Sequence, residues 1–204
     1  MKKLFVSIYG VNNLGKTTQV KLLKKRLEQE NLKVSLLKFP LCDLPPTGPR
    51  INAYLRKGNP EKLSALKFQT LCAQNRKDFD KTLRNIIFEN DVVIAEDYIG
   101  TGIAWGMGAG IPKKELIKLN EGLVMEDLSI LLDGKRFKQS IELNHKHEQD
   151  NDLVEKVRKH YLEIAFHYGW QIIYSWKIVD TAGSLKAIHE KIWSIVKMEL
   201  SCIR

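Results

Sequence analysis

Eight consecutive residues near the start of the chain, Gly10 to Thr17, follow the pattern G-x-x-x-x-G-K-T. In such a loop the glycines let successive backbone N–H groups point inward, where they bind the phosphates of a nucleotide. Lys16 is the residue type that reaches the β- and γ-phosphates, and the Thr17 hydroxyl is suited to Mg²⁺. The sequence therefore predicts ATP and Mg²⁺ as cofactors, with the nucleotide contacted by Gly10, Asn12, Asn13, Leu14, Gly15, Lys16, Thr17 and Thr18.

Two carboxylates, Glu96 and Asp97, directly follow an apolar run at residues 92–95. Carboxylate oxygens are the ligands that Mg²⁺ usually takes from a protein, so Glu96 is predicted to hold the metal together with Thr17, directly or through water. Asp133, which follows another apolar run, is a further acidic candidate. The role of Asp97 stays open. The candidate catalytic residues are Lys16, Glu96 and Asp97.

The apolar pattern places these residues at strand ends and at the start of a helix. Val20, Leu23 and Leu27 recur at helical spacing directly after the loop, and helical patterns return after residue 50, over residues 61–88 and near the end of the chain. Strands alternating with helices indicate an α/β fold with a mostly parallel sheet, in a single domain of residues 1–204. The predicted strands are Leu4–Tyr9, Val34–Phe39, Asp91–Ala95, Leu128–Leu132 and Gln171–Ser175.

The composition is that of an ordinary globular protein. The 204 residues carry a net charge of +9, and residues 1–50 alone hold ten basic and three acidic side chains. This excess lies on the helix after the phosphate loop, which disfavours a nucleic-acid-binding module, because such a module needs a separate basic tract. No apolar run approaches the roughly 20 residues of a membrane span. Three separated cysteines predict neither a disulfide framework nor a zinc site, so a cytoplasmic location is expected.

Two further motifs raise alternatives. Asp97-Tyr98-Ile99-Gly100 spells D-x-x-G, which GTPases use, but the guanine-reading motif N-K-x-D is missing from the sequence. His145 and His147 suggest a metal, but no third ligand has a suitable spacing. A small enzyme that phosphorylates nucleosides or nucleotides fits the sequence better.

Several segments resemble the thymidylate kinase family, in the same order and over most of the chain. They are Gly10–Gln19, Phe39–Pro40, Thr47–Leu55, Leu71–Arg76, Glu96–Trp105, Val157–Tyr161 and Val179–Asp180. The resemblance implies the P-loop NTPase fold, a five-stranded mostly parallel sheet flanked by helices, with a short mobile lid at about residues 136–152. It also implies transfer of the γ-phosphate of ATP to dTMP, and a homodimer.

The resemblance assigns residues to the acceptor nucleotide. Arg76 is expected to hydrogen-bond the pyrimidine, and Trp105 to take the place of an aromatic near the sugar. Phe39 and Tyr98 are expected to line the acceptor pocket, although Tyr98 and Trp105 fit core packing equally well. The full set expected at the substrate is Phe39, Pro40, Arg50, Phe68, Cys72, Asn75, Arg76, Tyr98, Gly102 and Trp105.

The chain departs from the family pattern where the acceptor phosphate is expected. The loop after Pro40 normally holds an arginine, but residues 41–43 are Leu-Cys-Asp, and a second arginine of the family is replaced by Asp97. An acid at such a position repels a phosphate dianion, whereas an arginine binds it strongly. Arg50, at the start of the next predicted helix, is the candidate replacement.

Other departures concern the sugar, the base and the lid. Asn12 replaces an acid that faces the sugar, and Cys72 replaces the aromatic that stacks on thymine. Phe68, one helical turn before Cys72, could lean into the same space. No arginine falls within residues 142–152, so no residue is assigned to neutralise the charge of the transferred phosphate. Lys146 lies in this segment, but it fits a solvated surface lysine at least as well as a catalytic contact.

These departures leave two other functions open. A deoxynucleoside kinase needs a carboxylate to accept the proton of the attacking hydroxyl, and Glu96, Asp97 or Asp43 would supply it. An ATP-binding regulatory protein would keep the phosphate loop and lose the acceptor chemistry. The reaction favoured by the sequence is phosphoryl transfer to a nucleoside monophosphate, with dTMP as the acceptor.

Overall fold

The computed structural model describes residues 3–134, 136, 150–174 and 181–202. Within them the chain forms five strands and seven helices. In chain order these are β1 Leu4–Tyr9, α1 Lys16–Gln29, β2 Val34–Lys38, α2 Thr47–Arg56, α3 Ala65–Glu89, β3 Val92–Glu96, α4 Ile99–Gly108, α5 Lys113–Leu119, β4 Leu128–Asp133, α6 Asn151–Tyr168, β5 Gln171–Tyr174 and α7 Thr181–Cys202.

The five strands form one sheet in the order β2-β3-β1-β4-β5, and every pairing is parallel. The predicted α/β fold with a parallel sheet is therefore confirmed. The strand boundaries agree to within one residue with those predicted from the sequence. Ser175, the predicted end of the last strand, lies outside the described residues. None of the described helices is long and apolar enough to cross a membrane.

The core forms because β1 and β3 are buried along their whole length and are covered by helices. Helix α1 buries Val20, Leu23 and Leu27, as the spacing predicts, and leaves its lysine-rich face in solvent. Helix α3 begins at residue 65 because the Ser64 side chain accepts a hydrogen bond from the backbone N–H of Lys67.

The register of the sheet positions the site. Ile8 and Lys38 both pair with Glu96, so the carboxyl ends of β1, β2 and β3 lie side by side. The loop after β1 is the predicted phosphate loop, and Glu96 and Asp97 follow at the end of β3. Because all strands run in one direction, these groups meet at one edge of the sheet.

Candidate functional site

The loop between β1 and α1 is held in a conformation that only particular residues adopt. Gly10, Asn13 and Gly15 have φ angles of 141°, 66° and 81°. A Cβ atom on Gly10 would lie 2.5 Å from the carbonyl oxygen of Leu132, so a side chain there would collide with β4. The loop leads into the N-terminus of α1, where unpaired backbone N–H groups and the helix dipole favour phosphate.

Lys16 is the first residue of α1 and is almost fully buried. Its Nζ donates hydrogen bonds to the carbonyl oxygens of Gly10 and Val11, at 2.7 and 3.2 Å. It also lies 3.6 Å from a carboxylate oxygen of Asp97. The charge is therefore held at the phosphate loop itself, where the β- and γ-phosphates of a nucleotide would bind.

Thr17 and Glu96, the two predicted metal-side residues, are in direct contact. The Thr17 hydroxyl donates a hydrogen bond of 2.9 Å to Oε1 of Glu96, and Nζ of Lys38 lies 2.9 Å from the same oxygen. A hydroxyl and a carboxylate are oxygen ligands of the kind that Mg²⁺ takes when phosphates and water complete its shell. The residues therefore fit Mg²⁺. The described residues contain no cluster of three or more Asp, Glu, His or Cys side chains that could hold a metal ion by themselves.

Asp97 connects the phosphate loop to α4. Its φ is 63°, its Oδ1 accepts a hydrogen bond of 2.8 Å from the Thr101 hydroxyl, and Thr101 in turn accepts one from Tyr161 at 3.0 Å. Burial raises the pKa of Asp97, and the nearby Lys16 charge opposes the shift. The contacts make Asp97 a residue that positions Lys16 and the start of α4.

Asp133, the further acidic candidate, is held in an ion pair. Arg158 on α6 donates to both of its carboxylate oxygens, at 2.6 and 2.8 Å, and Asp133 itself is buried. This pairing raises the pKa of Arg158. The ion pair joins the end of β4 to α6, so both groups serve the packing of the fold.

A cleft of about 1140 Å³ extends from the phosphate loop to the residues expected at the acceptor. Most of the predicted site residues line this cleft, together with several residues that were not predicted from the sequence. The predicted residues that line it are Asn12, Asn13, Leu14, Gly15, Lys16, Thr17, Thr18, Phe39, Pro40, Phe68, Cys72, Arg76, Glu96, Asp97, Tyr98, Gly102 and Trp105.

Arg76 is the buried cation of the acceptor half. Its Nε donates a hydrogen bond of 3.0 Å to Oδ1 of Asn120, and Asn120 is anchored on the Leu116 carbonyl oxygen. A Cβ atom on Gly102 would lie 2.8 Å from Nη2 of Arg76, so the glycine leaves the space that the guanidinium occupies. Arg76 is thereby fixed in the cleft wall, where a group that hydrogen-bonds a base is expected.

Asn75, the neighbour of Arg76, is not among the residues that line the cleft. Its side-chain amide accepts from the Leu41 N–H at 2.9 Å and donates to the Leu41 carbonyl oxygen at 3.1 Å and to the Thr47 hydroxyl at 2.9 Å. These bonds hold the loop after Pro40 against α3. Asn75 was expected at the substrate, and the structure shows its polar atoms bonded within the scaffold.

Arg50 does not line the cleft either. Its guanidinium donates to both carboxylate oxygens of Glu61, with contacts of 2.6 to 3.1 Å, on the exposed surface. The structure therefore places Arg50 outside the lining of the cleft in which the acceptor is expected. The arginine of α2 that does line the cleft is Arg56, at the other end of the helix.

The aromatic residues divide between packing and cleft. The Tyr98 hydroxyl donates to the Val124 carbonyl oxygen, and its ring packs on Phe5 and Phe39, so Tyr98 is mainly a core residue with one edge at the cleft. Phe68 stacks on Tyr54 with ring centroids 3.7 Å apart. This stack lies beside Cys72, whose thiol pKa is raised to about 12 by burial.

Several residues of the cleft were not predicted from the sequence, among them Lys38, Arg56 and Gln69. Lys38 could have been recognised as the last residue of a strand at the catalytic edge of the sheet. The motif pattern gives no signal for Arg56 and Gln69, because their positions depend on how α2 and α3 pack. The predicted lid residues His145, Lys146 and His147 and the segment Val179–Asp180 lie outside the described residues.

Comparison with known proteins gives consistent results. The family model described as thymidylate kinase matches residues 8–192. A probable thymidylate kinase from Pyrococcus horikoshii is 29% identical over 209 residues, which cover 98% of each chain. Two solved structures share the fold. Thymidylate kinase from Candida albicans has a TM-score of 0.79 and 22% identity, and the match covers 97% of this chain and 92% of that one. Thymidylate kinase from Ehrlichia chaffeensis has a TM-score of 0.76 and 20% identity, and the match covers 96% of this chain and 100% of that one. Their P-loop NTPase fold is the fold predicted for this chain.

Proposed function

The chain belongs to the thymidylate kinase family, and we propose that it transfers the γ-phosphoryl group of ATP to dTMP, giving ADP and dTDP. One observation carries the proposal: a single continuous cleft joins the phosphate loop and Lys16 to the buried Arg76. A donor nucleotide at the loop and an acceptor nucleotide at Arg76 would then share one cavity. In-line transfer between two bound nucleotides requires that arrangement.

The reaction needs positioning and charge neutralisation. An oxygen of the dTMP phosphate forms a bond to the γ-phosphorus while the bond from that phosphorus to the β–γ bridging oxygen breaks, and the bridging oxygen leaves with ADP. The acceptor phosphate is already ionised near neutral pH, since its second pKa is about 6, so no base has to remove a proton. Lys16 stabilises the charge that develops on the phosphate oxygens.

We propose that Mg²⁺ binds at this site together with ATP. Thr17 and Glu96 would hold it, because their oxygens lie within hydrogen-bond distance of each other beside the phosphate loop. When bound there, it would neutralise part of the charge of the ATP phosphates. Lys16 and the backbone N–H groups of the loop orient the same phosphates.

Of the three acids among the described residues that line the cleft, Glu96 and Asp97 are better suited to this reaction than to a nucleoside acceptor. Glu96 contacts the Thr17 hydroxyl and Lys38, and Asp97 contacts the Thr101 hydroxyl and lies near Lys16. Each carboxylate therefore has a hydroxyl donor and a cation as neighbours. A general base for a 5′-hydroxyl needs a carboxylate that faces the acceptor instead.

The test is a substrate panel. The purified protein with Mg·ATP is offered dTMP, dUMP, dCMP, dGMP and the matching nucleosides while ADP release is followed. We expect turnover of dTMP above the others, and loss of turnover in Lys16→Ala. Lys24→Ala is the matched control, because Lys24 lies on the same helix, pairs with Glu28 and is absent from the cleft lining. Turnover of nucleosides alone would contradict the proposal, and so would ATP binding without any turnover.

We also propose a homodimer in the cytoplasm. Exposed apolar side chains such as Phe88 on α3 and Phe166 on α6, 80% and 72% exposed, are of the kind that an interface between subunits covers. The cysteines within the described residues are free thiols, which suits a reducing compartment. Light scattering on the purified protein tests the dimer, and a monomer mass over the whole concentration range would contradict it.

A further inference from the structure

Two cationic side chains that belong to none of the family motifs, Lys38 and Arg56, line the cleft. Lys38 is the last residue of β2 and Arg56 the last residue of α2. Both side chains line the same cleft, together with Cys42 of the loop after Pro40. Two like charges directed at one space are an arrangement that an anion would stabilise.

The other cations of the cleft have different tasks. Within the part of the chain that the structure describes, the cationic side chains of the cleft lining are Lys16, Lys38, Arg56 and Arg76. Lys16 lies on the phosphate loop, and Arg76 is buried with its Nε bonded to Asn120. Lys38 and Arg56 are exposed, which makes their charges accessible to an incoming ligand.

The positions where the family carries arginines for the acceptor phosphate hold no cation here. Residues 41–43 are Leu-Cys-Asp. At the second position, Asp97 accepts a hydrogen bond from the Thr101 hydroxyl and pairs with Lys16. Asp43 and Asp97 both line the cleft and would repel a phosphate dianion. An acceptor monophosphate therefore needs cations from other elements to offset these acids.

We infer that Lys38 and Arg56 bind the phosphate of the acceptor nucleotide and so replace the two arginines of the family pattern. The inference rests on the proposed function. Lys38 lies 2.9 Å from Glu96 with its side chain 64% exposed, and the exposed Arg56 donates to Oδ1 of Asn52 at 3.1 Å. Hydrogen bonds from arginine to phosphate are among the stronger polar contacts, so an acceptor phosphate would compete for these side chains.

Helix α2 provides its own control. Arg50 and Arg56 lie on the same helix, but Arg50 pairs with Glu61 outside the cleft. Arg50→Ala therefore removes the same side chain from the same element without touching the proposed phosphate site. Arg56→Lys keeps the charge and removes the planar fork, so it separates charge from geometry.

The experiment compares an acceptor with and without its phosphate. Binding of dTMP and of thymidine is measured by calorimetry, and the KM values for dTMP and ATP by ADP release, for the wild type, Arg56→Ala, Arg56→Lys, Lys38→Ala and Arg50→Ala. We expect Arg56→Ala and Lys38→Ala to weaken dTMP binding by about tenfold or more and to raise the KM for dTMP. Thymidine binding should stay unchanged in these variants, the KM for ATP should stay unchanged in Arg56→Ala, and Arg56→Lys should recover part of the loss.

The outcomes separate the inference from the function. If the wild type phosphorylates dTMP but Arg56→Ala and Lys38→Ala bind it as tightly as Arg50→Ala does, the inference is wrong and the proposed function stands. Equal weakening of dTMP and thymidine binding also overturns the inference, because the phosphate would then play no part. A wild type that neither binds nor phosphorylates dTMP contradicts the proposed function itself.

Discussion

The Thr17 hydroxyl donates a hydrogen bond of 2.9 Å to Oε1 of Glu96. The two residues lie 79 positions apart in the sequence, at the start of α1 and the end of β3. The contact brings together the two oxygen groups expected to hold Mg²⁺. It forms because β1 and β3 are parallel neighbours and both end at this edge of the sheet.

Thr17→Val should raise the Mg²⁺ concentration needed for half-maximal rate by about tenfold or more, because it removes an oxygen ligand and leaves the packing nearly unchanged. Thr17→Ser keeps the hydroxyl and should behave like the wild type. The measurement is the rate of ADP release against Mg²⁺ concentration at fixed ATP. Equal Mg²⁺ dependence of the valine and serine variants would exclude Thr17 from the metal site.

Gly102→Ala should raise the KM for dTMP by about tenfold and leave the KM for ATP unchanged. The new Cβ atom would lie 2.8 Å from Nη2 of Arg76, which is too close, so the guanidinium must shift from the cleft wall. Gly106→Ala on the same helix meets Leu116 instead, at 2.4 Å, and is the control. It should lower the melting temperature without changing the KM for dTMP. A Gly102→Ala enzyme with the wild-type KM for dTMP would show that Arg76 does not contact the acceptor.

Asn75→Ala should lower the free energy of unfolding by about 2–3 kcal/mol, because it removes three hydrogen bonds to Leu41 and Thr47 and leaves buried groups unpaired. Thr47→Val removes one of the three and should cost about 1 kcal/mol. Urea unfolding of both variants measures the difference. If Asn75→Ala lowers the free energy of unfolding no more than Thr47→Val does, Asn75 does not have a scaffold role.

Glu126 should make stability depend on pH. Burial raises the pKa of Glu126 from its ordinary 4.5, and its Oε2 is buried without a hydrogen-bond partner among the described residues. The folded protein then keeps a proton that the unfolded chain has lost. The stability contributed by the protonated group is complete below pH 4.5 and decreases as the pH rises through the higher pKa of the folded state.

The matching variant is Glu126→Gln, which keeps an oxygen for the Tyr9 and Ser129 hydroxyls and has no proton to lose. Urea unfolding at several pH values should show the variant gaining stability relative to the wild type as the pH rises above 4.5. Parallel curves for the two proteins would mean that the pKa of Glu126 is not raised.

The local geometry of the phosphate loop could be predicted from the sequence because its residues are contiguous. Gly10 to Thr17 form one loop and one helix start, so their spacing alone specifies the geometry. Glu96 could be placed from the sequence too, since a residue that ends a buried parallel strand must lie at the edge where the loop lies. Apolar periodicity was sufficient for the strands and for the buried face of α1.

The acceptor half could not be predicted to the same depth, because it depends on which face of a helix meets the cleft. Asn75 and Arg76 are adjacent in sequence, but consecutive residues of a helix point about 100° apart, so one holds the loop after Pro40 and the other faces the cleft. Arg50 and Arg56 differ in the same way along α2.

The sequence by itself thus determined the parallel α/β fold, the phosphate loop and its lysine, because local spacing and strand order specify them. Only the tertiary structure decided which arginine of α2 lines the cleft, that Asn75 bonds to Leu41 and Thr47, and that Glu96 meets Thr17 and Lys38. Those relations arise from the packing of α2 and α3 and from the register of β2 on β3, and a pattern of residue types does not specify either.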